Sequence, residues 1–313
     1  MTEENGTGSP EEQGGRAMAW MQLLRLPNLL TVPGDAIAGF AAASTLTGAT
    51  LESGLALAIG AGLCLYMFGL VTNDVLDLAE DQRDRPSRPL PSGLVPVAHA
   101  YAAAAALGLS GVVLAFFAGP LAGYTALALS CAVVLYNALF KNIPVAGPLV
   151  MGLCRGLNVM LGAAATLPDS AFSTPVLLSA LLVSCYIATL TAIAARETEA
   201  FRGRMIRFLP VCAAALGLAA IWSLLQPPEG DDIVPAGVLT ACALLWPSFM
   251  ATSLSDGAPP QIIQQVIGGL IRNLLFLEAA LVAFFRPDLL YLSAALLLAF
   301  PISRRISRRF YAS

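Results

Sequence analysis

Three aspartates follow one another at helical spacing near the end of an apolar segment. Asp74, Asp77 and Asp81 are separated by three and four residues, so a helix would project all three carboxylates from one face. Three negative charges on one stripe repel each other unless a cation neutralises them. Hard cations such as Mg²⁺ take oxygen ligands and leave positions open for substrate phosphates. The spacing therefore predicts a Mg²⁺ site at these aspartates, with Asn73 as a further oxygen ligand.

Two arginines follow the aspartates in a proline-rich loop. Arg85 and Arg88 carry guanidinium groups, which bind phosphate oxygens through pairs of parallel hydrogen bonds. A charged loop between two membrane helices is commonly only a solvated connection. Carboxylates for a metal and arginines for phosphate, placed together beside a membrane segment, instead favour a lipid substrate that bears a diphosphate.

The elements that must position these side chains are membrane helices. Of 313 residues, 57% are hydrophobic and only 12% are charged, whereas soluble domains carry about 25% charged residues. The composition predicts an all-α, polytopic transmembrane bundle of nine or ten helices in residues 19–313, after a disordered acidic tail at residues 1–18. The candidate spans are residues 26–44, 54–71, 97–117, 121–140, 145–165, 175–195, 208–225, 233–252 and 267–285, with a shorter tenth at 289–302.

The distribution of basic residues predicts the orientation. If the loop after the second span lies in the cytoplasm, Arg286 is the only basic residue in the loops on the opposite side of the membrane. This distribution satisfies the positive-inside rule. We therefore expect an integral protein of the inner cell membrane whose site faces the cytoplasm. The basic stretch 303–309 also prefers that side and favours an even number of crossings. No feature indicates nucleic-acid binding. The basic residues assigned to the cytoplasm are Arg83, Arg85, Arg88, Lys141, Arg196, Arg202, Arg204 and Arg207.

Further polar residues lie in or beside the fourth and fifth spans. Tyr136 and Lys141 end the fourth span, and Lys141 is the only lysine in the chain. They are either substrate-binding residues or an interfacial tyrosine beside a lysine that extends to water. Arg155 and Asn158 share one face inside the fifth span, where an arginine must be paired or line a cavity. We favour contact with the acceptor or the diphosphate, with a structural Arg–Asp lock, for which Asp35 is a partner, as the alternative.

The order of the charged residues resembles a known signature. The segment N-D-V-L-D-L-A-E-D at residues 73–81, followed by R-P-S-R-P-L-P-S-G at 85–93, is similar to the first signature of the UbiA family of intramembrane prenyltransferases. The stretches 26–28, 34–35 and 147–158 resemble a divergent, Ebo-type branch of that family. The resemblance covers about residues 24–310.

This resemblance implies Mg²⁺-dependent transfer of a prenyl group from a prenyl diphosphate to a small acceptor, for which an aromatic ring is one candidate. It implies catalytic roles for Asp74, Asp77, Asp81 and Lys141. It implies that membrane lipid surrounds the protein, and it leaves the oligomeric state open. The implied substrate-binding residues are Asn28, Asn73, Arg85, Arg88, Tyr136, Arg155, Asn158 and Arg196.

The second acidic signature of the family is altered in this chain. Glu197 and Glu199 match two of its acidic positions and are expected to hold or approximate a second metal, but Ala195 stands where the first aspartate is expected. We expect Arg196 to take the place of a metal cation by contacting the phosphate itself. Because binding a diphosphate needs less metal than ionising it, the missing carboxylate keeps an alternative open. That alternative is a non-enzymatic membrane carrier, or translocation component, for a phosphorylated or prenylated metabolite.

Overall fold

The computed structural model describes residues 10–45, 47–50, 53–195, 205–254 and 257–310. Every regular element in these ranges is helical. The helices are α1 (Pro10–Leu23), α2 (Leu26–Leu29), α3 (Val32–Ser44), α4 (Ser53–Leu76), α5 (Leu78–Asp84), α6 (Val97–Ala118), α7 (Pro120–Leu135), α8 (Ala146–Thr166), α9 (Thr174–Ala194), α10 (Leu209–Leu224), α11 (Ile233–Thr252), α12 (Pro260–Arg272), α13 (Leu274–Phe285) and α14 (Leu290–Phe310). The expected all-α class is confirmed.

Nine helical segments in the described part of the chain are long and apolar enough to cross a membrane. They account for every expected span except the first, which the structure divides into α2 and the 13-residue α3. Alone, α3 extends about 20 Å, which is less than the roughly 30 Å hydrocarbon core. The tenth expected segment is present, but it is longer than expected. The helix continues through the basic residues after residue 302 to Phe310, because arginine is a good helix former.

The expected tail boundary at residue 18 also differs from the structure, in which α1 begins at Pro10. The physical reason is that Ala19 and Leu23, on one face of α1, are buried in a small apolar cluster with Val71 and Val75 of α4. This packing compensates the entropy of ordering the segment. It also brings the end of α1 beside the end of α4, where the aspartates begin.

Helix α3 is the central element of the bundle, and almost all of it is buried. It packs against α4, α8, α9 and α13, while α4, α6, α7 and α8 form one side of the surrounding wall and α9, α10 and α11 form the other. The approach of α3 to α8 is close because glycines face backbone across it. A Cβ on Gly39 would lie 1.9 Å from the carbonyl oxygen of Val159, and one on Gly162 would lie 2.1 Å from that of Ala36.

We expect Gly162→Ala to lower the melting temperature of the detergent-solubilised protein, because the new methyl group collides with backbone of α3 that cannot rotate away. Overpacking of this kind costs about 1–3 kcal/mol. Gly237→Ala on α11 is the matched control. A Cβ there meets nothing within 4 Å, so that variant should melt no lower than the parent. Equal melting temperatures for the two variants, measured by scanning fluorimetry, would contradict the close α3–α8 contact.

Candidate active site

Asn73, Asp74 and Asp77 come together where α4 ends. Asn73 and Asp74 lie in the last turns of α4, and Asp77 links it to α5. The amide nitrogen of Asn73 donates to Asp74 Oδ1 at 3.3 Å and to Asp77 Oδ2 at 3.1 Å. One side chain therefore holds two carboxylates side by side. We call Asn73, Asp74, Asp77 and Asp81 the acidic end of the bundle.

The third aspartate is directed elsewhere. Asp81 is nearly buried, and its Oδ2 accepts a hydrogen bond of 2.6 Å from Nη1 of Arg88. No group of three His, Cys, Asp or Glu side chains within the described ranges converges on a point that could hold a metal ion. The three carboxylates diverge because α4 ends at Leu76 and Asp81 of α5 pairs with Arg88 of the following loop. Metal binding by all three stays a prediction.

Two carboxylates nevertheless suit Mg²⁺ at this position. Magnesium in phosphate-binding sites is usually held by one or two carboxylates, with substrate phosphates and waters completing six oxygen ligands. Asp74 and Asp77 supply such a pair, and both accept a hydrogen bond from the same amide nitrogen of Asn73. The donor set fits a metal that the substrate helps to bind. A direct metal contact by Asn73 stays a prediction.

Lys141 reaches the acidic end from α7. The residues Tyr136–Phe140 form a π-helical turn, in which the N–H of Lys141 bonds to the carbonyl oxygen of Tyr136 at 2.8 Å. Such widened turns are frequent at functional sites. The Nζ of Lys141 forms an ion pair with Asp77. Partial burial lowers the pKa of Lys141, and the negative charge of Asp74 opposes that shift.

The π-helical turn is fixed to α4 by a second contact. The amide of Asn137 is buried and donates to the carbonyl oxygen of Gly69 at 3.0 Å. Gly69 precedes Asn73 by one turn, so this bond sets the separation between the ends of α4 and α7. Tyr136 is half-buried in the same turn. The sequence placed Tyr136 and Lys141 together at a helix end, and the structure brings Lys141 to Asp77.

Arg25 is a member of the site that sequence reasoning missed. Its Nη2 lies 3.6 Å from Asp74 Oδ1, and 40% of its side chain is exposed. Its backbone adopts φ 44° and ψ 53°, a left-handed conformation that costs free energy for a residue with a Cβ and is often found at functional sites. The signal available in the sequence was a basic residue directly before the first span. Asn28 follows in α2, half-buried, and its carbonyl oxygen accepts hydrogen bonds from Thr31.

Arg155 and Asn158 belong to a buried network below the acidic end. Arg155 lies nine residues into α8, which corresponds to a depth of about 13 Å. Its Nε lies 3.0 Å from Asp35 Oδ2, its Nη2 lies 3.6 Å from Glu278 Oε1, and Nη2 also donates to the carbonyl oxygen of Thr31 at 3.0 Å. We call Thr31, Asp35, Arg155, Asn158 and Glu278 the central cluster.

Asn158 completes this network by donating to Asp35 Oδ2 at 2.9 Å and to the carbonyl oxygen of Val32 at 3.3 Å. With Arg155 only 7% exposed and Asn158 only 4% exposed, the geometry favours the Arg–Asp lock that the sequence left as an alternative. The preferred expectation, contact with substrate, has no support from these contacts and stays a prediction.

The remaining expected residues are only partly located. Arg85 is exposed on the loop beyond α5, on the same side as Arg88. Ala195 directly follows α9. Arg196, Glu197 and Glu199 lie outside the residues that the structure describes, so the altered second signature stays a sequence-based prediction.

Comparison with known proteins identifies the fold and the family. Residues 35–263, which include the acidic end and the arginine loop, match the model of the UbiA prenyltransferase family. The chain belongs to the UbiA prenyltransferase family. It is 28% identical over 212 residues to a digeranylgeranylglyceryl phosphate synthase of Saccharolobus solfataricus, an alignment that covers 66% of this chain and 71% of the relative.

Solved structures support the same fold. A UbiA homologue from Aeropyrum pernix K1 superposes with a TM-score of 0.63 at 18% identity, covering 81% of this chain and 96% of that protein. A UbiA homologue from Archaeoglobus fulgidus, solved with GPP and Mg²⁺ bound, gives a TM-score of 0.55 at 17% identity and covers 84% and 99% of the two chains. The family and the membrane prenyltransferase class expected from the sequence are confirmed, whereas the Ebo-type branch and the acceptor stay predictions.

We expect Lys141→Met to reduce the rate of prenyl transfer by about 10²–10³-fold, the usual cost of removing one preorganised group that stabilises developing charge. Methionine keeps much of the volume and removes the cation beside Asp77. The control is Arg83→Gln, because Arg83 is exposed on α5 and no described acid pairs with it. Initial rates for both purified variants at saturating Mg²⁺ make the comparison. Equal rates would remove Lys141 from the site.

Proposed function

We propose that the protein binds a prenyl diphosphate at Asp74 and Asp77 and transfers its prenyl group to a small acceptor at the inner face of the cell membrane. The observation that carries this proposal is the pairing of each acid with its own cation: Asp74 with Arg25, Asp77 with Lys141 and Asp81 with Arg88. Three cations gathered on three acids at one bundle end form a surface suited to a diphosphate and a divalent metal.

The cations of the acidic end have a direct chemical role in this scheme. Heterolysis of the allylic C–O bond sends the electron pair to the diphosphate and leaves a carbocation on the prenyl chain. Lys141, Arg88 and Arg25 stabilise the charge that develops on the leaving oxygens, and they are held in place before the substrate arrives. Arg85, exposed on the adjoining loop, adds a further positive charge at the entrance. Mg²⁺, when bound by Asp74 and Asp77, supplies Lewis-acid polarisation of the phosphate oxygens.

Magnesium and a prenyl diphosphate as donor are also what the bound Archaeoglobus fulgidus homologue supports. The relatives named digeranylgeranylglyceryl phosphate synthase make, by that name, a phosphate-bearing glyceryl lipid. A glyceryl lipid of this kind is therefore a candidate acceptor, beside a quinone ring precursor, a haem, a sugar, a cyclitol or an indole compound. Carbon or oxygen nucleophiles of these compounds capture the carbocation and lose a proton. The apolar helices provide the hydrocarbon surroundings that the prenyl tail requires.

The orientation of the site towards the cytoplasm rests on the basic residues. Arg83, Arg85, Arg88 and Lys141 lie at the end of the bundle that holds the aspartates. A non-enzymatic carrier for the same class of ligand is the second candidate. One residue favours it: Ala195, at the end of α9, offers no carboxylate for a second metal.

The decisive measurement is the release of diphosphate by purified protein from geranyl, farnesyl and geranylgeranyl diphosphates, with and without Mg²⁺ and with candidate acceptors. We expect Mg²⁺-dependent release that Asp74→Asn abolishes, because one of the two carboxylates loses its charge. The variant should remain folded, since Asp74 is at a helix end. Tight donor binding without release, in the parent and with every acceptor, would favour the carrier. Full activity in Asp74→Asn would refute both the proposed Mg²⁺ site at Asp74 and Asp77 and the proposed function.

A separate test concerns the second signature. We expect Ala195→Asp to lower the Mg²⁺ concentration needed for half-maximal diphosphate release, because the substitution restores an oxygen ligand at the end of α9. Ala195→Asn, similar in size but uncharged, is the control and should shift the Mg²⁺ dependence much less. Identical Mg²⁺ titrations for parent and Ala195→Asp would show that this position does not face the diphosphate site.

A further inference from the structure

The central cluster contains more negative than positive groups. Asp35 and Glu278 are both 0% exposed, and Arg155 is the one cationic side chain that contacts them within the described residues. Lys141 and Arg25 are paired with Asp77 and Asp74. Two ionised carboxylates and one guanidinium would leave a net negative charge inside a membrane-spanning bundle, where an uncompensated charge is very costly.

The hydrogen bonds of the cluster are also incomplete. Asp35 Oδ1 and both oxygens of Glu278 are buried, and no described donor bonds to them. An ionised carboxylate can only accept hydrogen bonds. Both carboxyl groups approach the same guanidinium, Asp35 at Nε and Glu278 at Nη2. A proton on one of the two carboxyl groups supplies the hydrogen-bond donor that two ionised carboxylates lack.

We infer that Asp35 and Glu278 share one proton, which resides on Glu278 and is donated in a hydrogen bond to Asp35. The proton makes the cluster electrically neutral and provides the donor that Asp35 Oδ1 lacks. This inference goes beyond prenyl transfer, because it assigns a proton-binding site to the interior of the bundle.

The positions of the donors indicate which carboxyl carries the proton. Asp35 Oδ2 lies 3.0 Å from Arg155 Nε and accepts a hydrogen bond of 2.9 Å from the amide of Asn158. Glu278 has only the longer approach of 3.6 Å to Arg155. The negative charge is therefore better stabilised on Asp35, and the neutral acid is Glu278.

The packing around Glu278 leaves no room for a metal ion on the side of α3. A Cβ on Gly34 would lie 1.6 Å from Glu278 Oε2, so the carboxyl group already fills the space that a side chain would take. A proton requires no cavity. The carboxyl group of Glu278 thereby packs α13 directly against α3, and Arg155 contacts Asp35, Glu278 and the carbonyl oxygen of Thr31.

Infrared spectroscopy of the full-length protein in nanodiscs at neutral pH tests the inference. We expect the carbonyl-stretch band of a protonated carboxylic acid, which shifts slowly in D₂O because the group is buried. Glu278→Gln should remove this band. Glu229→Gln, a matched change at an exposed position, should leave it in place. A parent spectrum without the band, or a band that persists in Glu278→Gln, would overturn the inference.

Thermal unfolding provides a second test that does not depend on the spectrum. Glu278→Gln and Asp35→Asn each leave Arg155 with one acid, so both should unfold near the parent temperature. The double variant leaves the guanidinium buried without an acid and should unfold far lower than the sum of the single effects. If both carboxylates are ionised and a cation balances them, parent stability will instead rise with Na⁺ or K⁺ concentration, and that result would refute the shared proton.

Discussion

A charge buried among membrane helices must be neutralised by the protein, and the architecture of this bundle follows that requirement. Arg155 of α8 is bound to Asp35 of α3 and approaches Glu278 of α13, so three helices that are distant in sequence are joined at one point. The glycines on α3 and α8 permit this, because side chains at Gly39 or Gly162 would hold the two backbones apart and lengthen every contact of the cluster. Close packing and charge pairing are therefore not separate contributions: each depends on the other.

Acids are paired with cations at the acidic end as well, but these pairs differ from the central cluster in their exposure to water. There the pairs are partly open to water, and each joins an aspartate to a longer cationic side chain. Exposed pairs contribute little stability, typically below about 1 kcal/mol. In the proposed function Asp74 and Asp77 would hold the metal, and Arg25 and Lys141 would then contact phosphate instead of these carboxylates. The buried cluster joins helices of the bundle, whereas the partly open pairs belong to the proposed diphosphate site.

The sequence predicted what depends on local order and missed what depends on distant contact. The aspartates and arginines of residues 73–93 form one continuous stretch, so their spacing was enough to expect a diphosphate site and the family fold. Lys141 could be added because it is the only lysine and ends a span. Arg25 could not, since its link to Asp74 depends on how α1 packs against α4. The role of Asp81 was inferred from spacing alone and stays a prediction, since its carboxylate pairs with Arg88 in the structure.

Interruptions of the helices lie next to both sites, and this placement has a physical origin. Backbone groups freed by a break inside a membrane need other partners. The break between α2 and α3 directs the carbonyl of Thr31 to Arg155, and the break at Asn273, whose amide donates to Ala243, precedes Glu278 by five residues. Above Thr31 the short helix α2 carries Asn28 and follows Arg25. Arg155 therefore holds the turn that follows Arg25 and α2, and this turn connects the buried cluster to the acidic end.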